Sequence, residues 1–119
     1  MKIHTVCIDF DGTIVKHEYP FIGEVIPGAI EAMKDFNKRG IKIILYTMRS
    51  GKTLKDAVKF LEDNGIALYS VNDNPSQKHW TKSNKVYAST YIDDAAYGCP
   101  LIHPDDGSRP FVDWSKINI

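Results

Sequence analysis

The chain has 119 residues, 15 basic and 15 acidic side chains, and 43% apolar residues. That is the size of one domain, 1–119, too apolar for a disordered segment and long enough to bury a core without disulfide or metal staples. A net charge of zero argues against a nucleic-acid or membrane-surface binder, and no apolar run approaches the roughly 18 residues of a membrane span.

Thr5-Val6-Cys7-Ile8 is a short β-rich apolar run, suited to a strand buried on both faces. Charge and glycine stop it at Asp9-Phe10-Asp11-Gly12-Thr13. A polar and aromatic connection over 14–24 follows, with Pro20 and Gly23 as breakers; its Tyr19, Pro20, Phe21 and Ile22 suit either a cover over part of a site or a packing patch for a second subunit. Pro27 is placed to open a helix in which Ile26, Ile30, Met33 and Phe36 make one apolar stripe and Gly40 is the terminator. Residues 41–46 form a second buried strand that ends at Thr47-Met48-Arg49. Ser50 then caps a second helix with Leu54, Ala57, Val58 and Leu61 on one face and a stop at Gly65. A third strand is expected over 66–71, a fourth ending in Tyr91-Ile92-Asp93-Asp94, and a short fifth at Leu101-Ile102.

Strand, helix, strand, helix, strand predicts an α/β fold: a Rossmann-like parallel sheet of about five strands flanked by helices. Polar or acidic residues end three different strands, and open parallel sheets bind ligands at those ends. Asp9 and Asp11 flank a turn whose N–H groups make an anion nest, and Asp93 and Asp94 add the oxygen ligands that Mg2+ prefers. An acidic pair beside an anion nest makes sense when a divalent cation bridges carboxylate and phosphate. Thr47 offers a hydroxyl to a phosphate oxygen, Arg49 a fork that suits phosphate, and Lys85 a neutralising charge.

The motif Asp9-Phe10-Asp11-Gly12-Thr13 after an apolar strand resembles the DxDGT signature of the haloacid dehalogenase-like hydrolase superfamily. Thr47, Lys85 and Asp93-Asp94 follow in the order of its second, third and fourth motifs, so the likeness covers residues 3–94. The resemblance implies a phosphomonoester hydrolase in which Asp9 is the nucleophile that forms an aspartyl-phosphate and Asp11 the general acid and base. It implies Mg2+ held by the Asp9 carboxylate, the Asp11 carbonyl, Asp93 and Asp94. Thr47 and Lys85 would hold the transferring group, with Phe10, Gly12, Thr13 and Arg49 at the substrate. An aspartate at position 11 favours phosphatase or phosphotransferase chemistry over dehalogenation or ion pumping.

Lys85 precedes Asp93 by eight residues, about 25 Å if extended. Its role therefore requires a short fourth strand with a bend around Tyr87-Ala88; Lys78 and Lys82 are the substitutes. The 13–47 and 47–85 intervals leave no room for a cap domain, so the site should be open. The alternative class is a non-enzymatic phosphate or nucleotide binder, or an assembly protein, that retains the fold. A two-component receiver domain shares the residue types but places its acidic residues and lysine in a different chain order. Ser50-Gly51-Lys52-Thr53 lacks the leading glycine of a phosphate-binding loop, since position 46 is Tyr46. Cys7 and Cys99 form no metal spacing and no disulfide framework. With residues 1–5 lacking a leader's apolar region, the expected setting is the reducing cytoplasm.

Overall fold

The computed structural model describes residues 4–119; residues 1–3, the start of the segment read for a leader, lie outside the described residues. Strand β1 (Thr5–Ile8) is buried along its whole length and forms the middle of the sheet. Helix α1 (Ala29–Lys38) connects it to β2 (Lys42–Leu45), and helix α2 (Gly51–Asp63) connects β2 to β3 (Ser70–Val71). Strand β4 (Thr90–Ile92) pairs on the other side of β1, which gives a four-stranded parallel sheet in the order β3-β2-β1-β4.

The expected fifth strand forms at Leu101–Ile102 (β5) but does not join that sheet. It pairs antiparallel with β6 (Phe111–Val112) in a separate two-stranded ribbon. The segment 93–100 between β4 and β5 is too short for a crossover to a parallel edge, and the 103–110 loop turns β5 onto β6 instead. The third strand is also shorter than the apolar run 66–71: Ile66 is buried, but regular pairing begins only at Ser70.

Both helices face the same side of the sheet. Ala29, Ile30, Met33 and Phe36 of α1 and Ala57 and Leu61 of α2 pack in one core with Val6, Ile8, Ile43 and Leu45. The opposite face is covered by the irregular chain before β4, through Val86 and Ala88 against Cys7 and Ile44. Helix α1 starts two residues after Pro27, because Gly28 takes a left-handed conformation (φ 88°) at the cap. Ser50 occupies the cap position of α2, but its side chain makes no capping hydrogen bond; the Thr53 hydroxyl donates back to the Ser50 carbonyl instead. Gly40 (φ 76°) and Gly65 (φ 79°) end the helices as expected. No separate cap domain interrupts the sheet elements among the described residues. No helix is long and apolar enough to cross a membrane.

Candidate active site

The carboxyl ends of β1, β2 and β4 open onto one cleft of about 450 Å3, lined by Asp9, Asp11, Thr47, Asp93 and Asp94 among others. A second cavity of about 320 Å3 on the other side of Thr47 and Met48 shares Asp9 and Asp93 and adds Tyr46 and Asn72. The register explains the convergence. Ile8 pairs with Leu45 and with Ile92, so the residues that follow each strand emerge level with one another.

Asp9, Asp93 and Asp94 each bring a carboxylate oxygen within 4.8 Å of the others. Burial, the neighbouring Asp93 charge and a hydrogen bond with Asp94 push the Asp9 carboxyl up from 3.8 to about 8, against a smaller lowering by the Thr13 hydroxyl. Asp93 is raised as well, by burial first. Three crowded carboxylates with an all-oxygen donor set fit a hard divalent ion of the Mg2+ kind. The Asp11 carbonyl, which accepts no hydrogen bond among the described residues, is a further oxygen of the type such an ion takes.

The turn after β1 is built to keep these groups in place. The buried Thr13 hydroxyl donates to Asp9 Oδ2 (3.0 Å) and accepts from the Asp94 N–H (3.1 Å). The Gly12 N–H is taken by the Val15 carbonyl (2.7 Å), while the N–H groups of Phe10 and Asp11 have no partner among the described residues. Those two are the turn's donors for an anion. Gly12 has φ +86°, and a Cβ there would run into the His17 ring and the Asp94 carboxylate. From the far end of the chain, the Trp114 indole N–H donates to the Thr13 carbonyl (2.7 Å) and the Val112 N–H to the Gly12 carbonyl (3.0 Å).

The four residues expected at the substrate fall in different places. The Phe10 side chain is wholly buried, edge-on to Phe60 at 6.2 Å; only its N–H remains for a ligand. Gly12 and Thr13 sit behind the carboxylates and line neither cavity. Arg49 does line the cleft, but its side chain is 1% exposed and it grips Asp11 with two 2.8 Å hydrogen bonds. A buried, paired guanidinium has no free donor for substrate. Asp11 in turn stands apart from the three-carboxylate cluster, its carboxylate committed to Arg49.

Thr47 is where the sequence puts it. Its N–H and carbonyl are both held by the Asn72 side chain (2.8 and 2.9 Å), its hydroxyl accepts from the Arg49 N–H (3.1 Å), and its own proton remains for an anion. Lys85 is not brought to the site. Strand β4 is as short as its role required, but the chain before it folds back onto Tyr91, whose hydroxyl bonds Val86 and Ala88. Lys85 Nζ lies 5.8 Å from the Tyr91 ring and lines neither cavity that contains Asp9. Lys78 pairs with Asp73 (3.2 Å), and Lys82 lines a different cavity.

Three site residues escaped the sequence reading. His17 Nε2 lies 2.9 Å from Asp94 Oδ2. Asn72, at φ 50°, locks Thr47. Arg109, on the β5–β6 loop, lines the cleft exposed and without an ion-pair partner among the described residues. Asn72 alone left a signal, a polar residue directly at a strand end.

A family model for haloacid dehalogenase-like hydrolases matches residues 6–93, well over half of the chain, from within β1 to Asp93 of the fourth motif. The chain belongs to this family. The likeness to known proteins extends to structure. A conserved protein coded by a locus from Bacteroides thetaiotaomicron is 37% identical, with a TM-score of 0.75 over 82% of this chain and 80% of that one. No curated protein matches the chain. As a haloacid dehalogenase-like hydrolase, the chain carries its Asp9–Thr13 turn after β1 and its acidic pair after β4, at the adjacent ends of two paired strands.

Proposed function

We propose that this hydrolase is a Mg2+-dependent phosphatase that cleaves phosphomonoesters through an aspartyl-phosphate on Asp9. The observation that carries the reading is the Asp9, Asp93 and Asp94 cluster, within reach of one ion and open to a cleft that Asp11 and Thr47 also line. Asp9, Asp93, Asp94 and the Asp11 carbonyl would hold Mg2+, which offsets the repulsion between the Asp9 carboxylate and a phosphate dianion.

In the first step an Asp9 carboxylate oxygen attacks phosphorus, the ester P–O bond breaks, and Asp11 gives its proton to the leaving oxygen. In the second, water attacks the phosphoryl group, its proton passes to Asp11, and the bond to Asp9 breaks to release phosphate. The Phe10 and Asp11 N–H groups and the Thr47 hydroxyl orient the phosphoryl oxygens, work that is mostly positioning and charge stabilisation. Arg109 supplies the positive charge that the sequence assigned to Lys85. The substrate is a phosphorylated molecule; both cysteines are free, which supports a reducing, cytoplasmic setting.

The test is turnover of p-nitrophenyl phosphate by the purified chain. Hydrolysis should require Mg2+, stop in excess chelator, and fall on the order of 10³-fold or more in Asp9→Asn. A single turnover should leave an acid-stable, hydroxylamine-labile phosphoryl group on the wild type. Phosphate binding without turnover would favour a non-enzymatic binder, and full activity in Asp9→Asn would remove the nucleophile from the scheme.

A further inference from the structure

The Arg49 guanidinium has five N–H donors, and all five are engaged. Nε donates to Asp11 Oδ2 and Nη2 to Asp11 Oδ1, both at 2.8 Å. Nη2 also donates to the Phe21 carbonyl (2.8 Å), and Nη1 to the carbonyls of Pro20 and Thr53 (both 3.3 Å). Two aromatic rings lie against it, Phe10 at 4.9 Å and Tyr19 at 5.2 Å from the guanidinium carbon. A cation held by five acceptors and packed against two rings has one orientation.

Asp11 has the opposite character. It lies in the turn just before Gly12, its side chain is 18% exposed against 1% for Arg49, and it makes no side-chain hydrogen bond except to Arg49 among the described residues. Nothing but the arginine fixes where its carboxylate faces. Each Asp11 oxygen accepts one hydrogen bond from the fork and keeps a second lone pair, so the grip leaves the carboxyl able to give or take a proton on its open side.

We propose that Arg49 is a positioning residue: it sets the direction of the Asp11 carboxylate toward the cleft and, through the Pro20 and Phe21 carbonyls, makes that direction depend on the 19–21 segment. This rests on the phosphatase reading, in which Asp11 serves the leaving oxygen. The connection between β1 and α1 is then part of the catalytic apparatus. Tyr19 lines the cleft and stacks on the guanidinium, so a substrate that presses on Tyr19 acts on the same cation that aims Asp11. A misplacement of about 1 Å at such a group costs on the order of 10²-fold in rate.

Leaving-group dependence separates this role from a merely structural ion pair. Nitrophenolate departs without a proton, whereas an alkoxide needs one. The measurement is kcat/KM, which reports the step in which the ester oxygen leaves, for p-nitrophenyl phosphate and for β-glycerol phosphate. In Arg49→Met the alkyl ester should lose at least about tenfold more than the nitrophenyl ester. The ratio is taken within one preparation, so a reduced folded fraction cancels. Arg49→Lys keeps the charge but has no fork, and should show the same split; it carries the test alone if Arg49→Met does not fold. In Asp11→Asn, adding Arg49→Met should widen the split no further. Amide exchange over residues 17–23 should quicken in both Arg49 variants and stay unchanged in Asp11→Asn. Equal losses on the two esters, or a wild-type ratio in Arg49→Lys, overturns the positioning role and leaves the phosphatase reading standing. A wild type inert toward both esters overturns the phosphatase reading and this role with it.

Discussion

Without a cation, Asp9 should make the fold weaker as pH rises, and replacing it by asparagine should remove that weakness. Its carboxyl is pushed from 3.8 to about 8 by burial, Asp93 and Asp94. Below about pH 4 the group is protonated in both folded and unfolded chains and contributes nothing. Between about 4 and 8 the unfolded chain has lost the proton and the folded chain keeps it, so stability falls with each pH unit. Above about 8 both forms are ionised and the loss is complete. A displacement of about four pH units corresponds to about 6 kcal/mol at full weight; shared among three carboxylates and partly open to water, about half of that is the working figure. Urea unfolding of wild type and Asp9→Asn in EDTA at pH 5, 6, 7 and 8 measures it, because titrations common to both proteins cancel in the difference. Asparagine keeps an oxygen for the Thr13 hydroxyl, so the turn loses no hydrogen bond. The variant should gain about 2 kcal/mol on the wild type from pH 5 to pH 8. Mg2+ at about a hundred times its Kd should return about 2.7 kcal/mol to the wild type at pH 7.5 and far less to the variant. A difference flat to within about 0.5 kcal/mol across that range would refute the crowding of charge from which the metal site is argued.

Trp114→Phe removes the indole N–H from the Thr13 carbonyl and leaves a buried acceptor alone, at about 1–3 kcal/mol. Thermal unfolding should shift down by about 4 °C per kcal/mol, with a loss of Mg2+ affinity as Thr13 loosens from Asp9 and Asp94; an unchanged melting temperature would separate the C-terminal segment from the turn. Arg109→Ala, an exposed change with stability expected within about 0.5 kcal/mol, should raise KM for p-nitrophenyl phosphate roughly tenfold. The same effect from Lys85→Ala, with none from Arg109→Ala, would restore the lysine to the site.

The groups that lie at strand ends were legible, because a strand end is a local feature. Thr5-Val6-Cys7-Ile8 followed by Asp9 and Asp11 marks a buried strand and a charged turn together, and the stripe Ile26, Ile30, Met33, Phe36 fills one core as its spacing predicts. The pairs that hold the site are not local. Arg49 meets Asp11 across 38 residues, His17 meets Asp94 across 77, and Trp114 meets Thr13 across 101. The first depends on the Ile8–Leu45 register and the second on the Ile8–Ile92 register, which no residue pattern states. Lys85 was illegible for a different reason: distance along the chain does not state a side of the sheet, and Lys85 lies against Tyr91, beside Val86. Arg109 gave no sign because the short run at Leu101-Ile102 reads equally as a fifth parallel strand or as half of a ribbon.

The two segments outside the parallel sheet converge on one turn, and that explains how a hydrolase without a cap keeps a shaped site. The 14–26 connection is closed on itself by the Val15–Val25 bridge and is fastened to Asp11 through Arg49. The ribbon and the C-terminal turn are fastened to Gly12 and Thr13 through Val112 and Trp114. Two walls thus rise from consecutive residues of the same loop, and Tyr19 from one faces the cleft that Arg109 from the other also lines. The cleft is open at its β2 lip, where Met48 is 96% exposed. On the phosphatase reading proposed above, a leaving group is therefore free to extend into solvent while its phosphate is held. Selectivity would then rest on what Tyr19, Met48 and Arg109 touch just outside the phosphoryl group, and water would be excluded by the substrate itself.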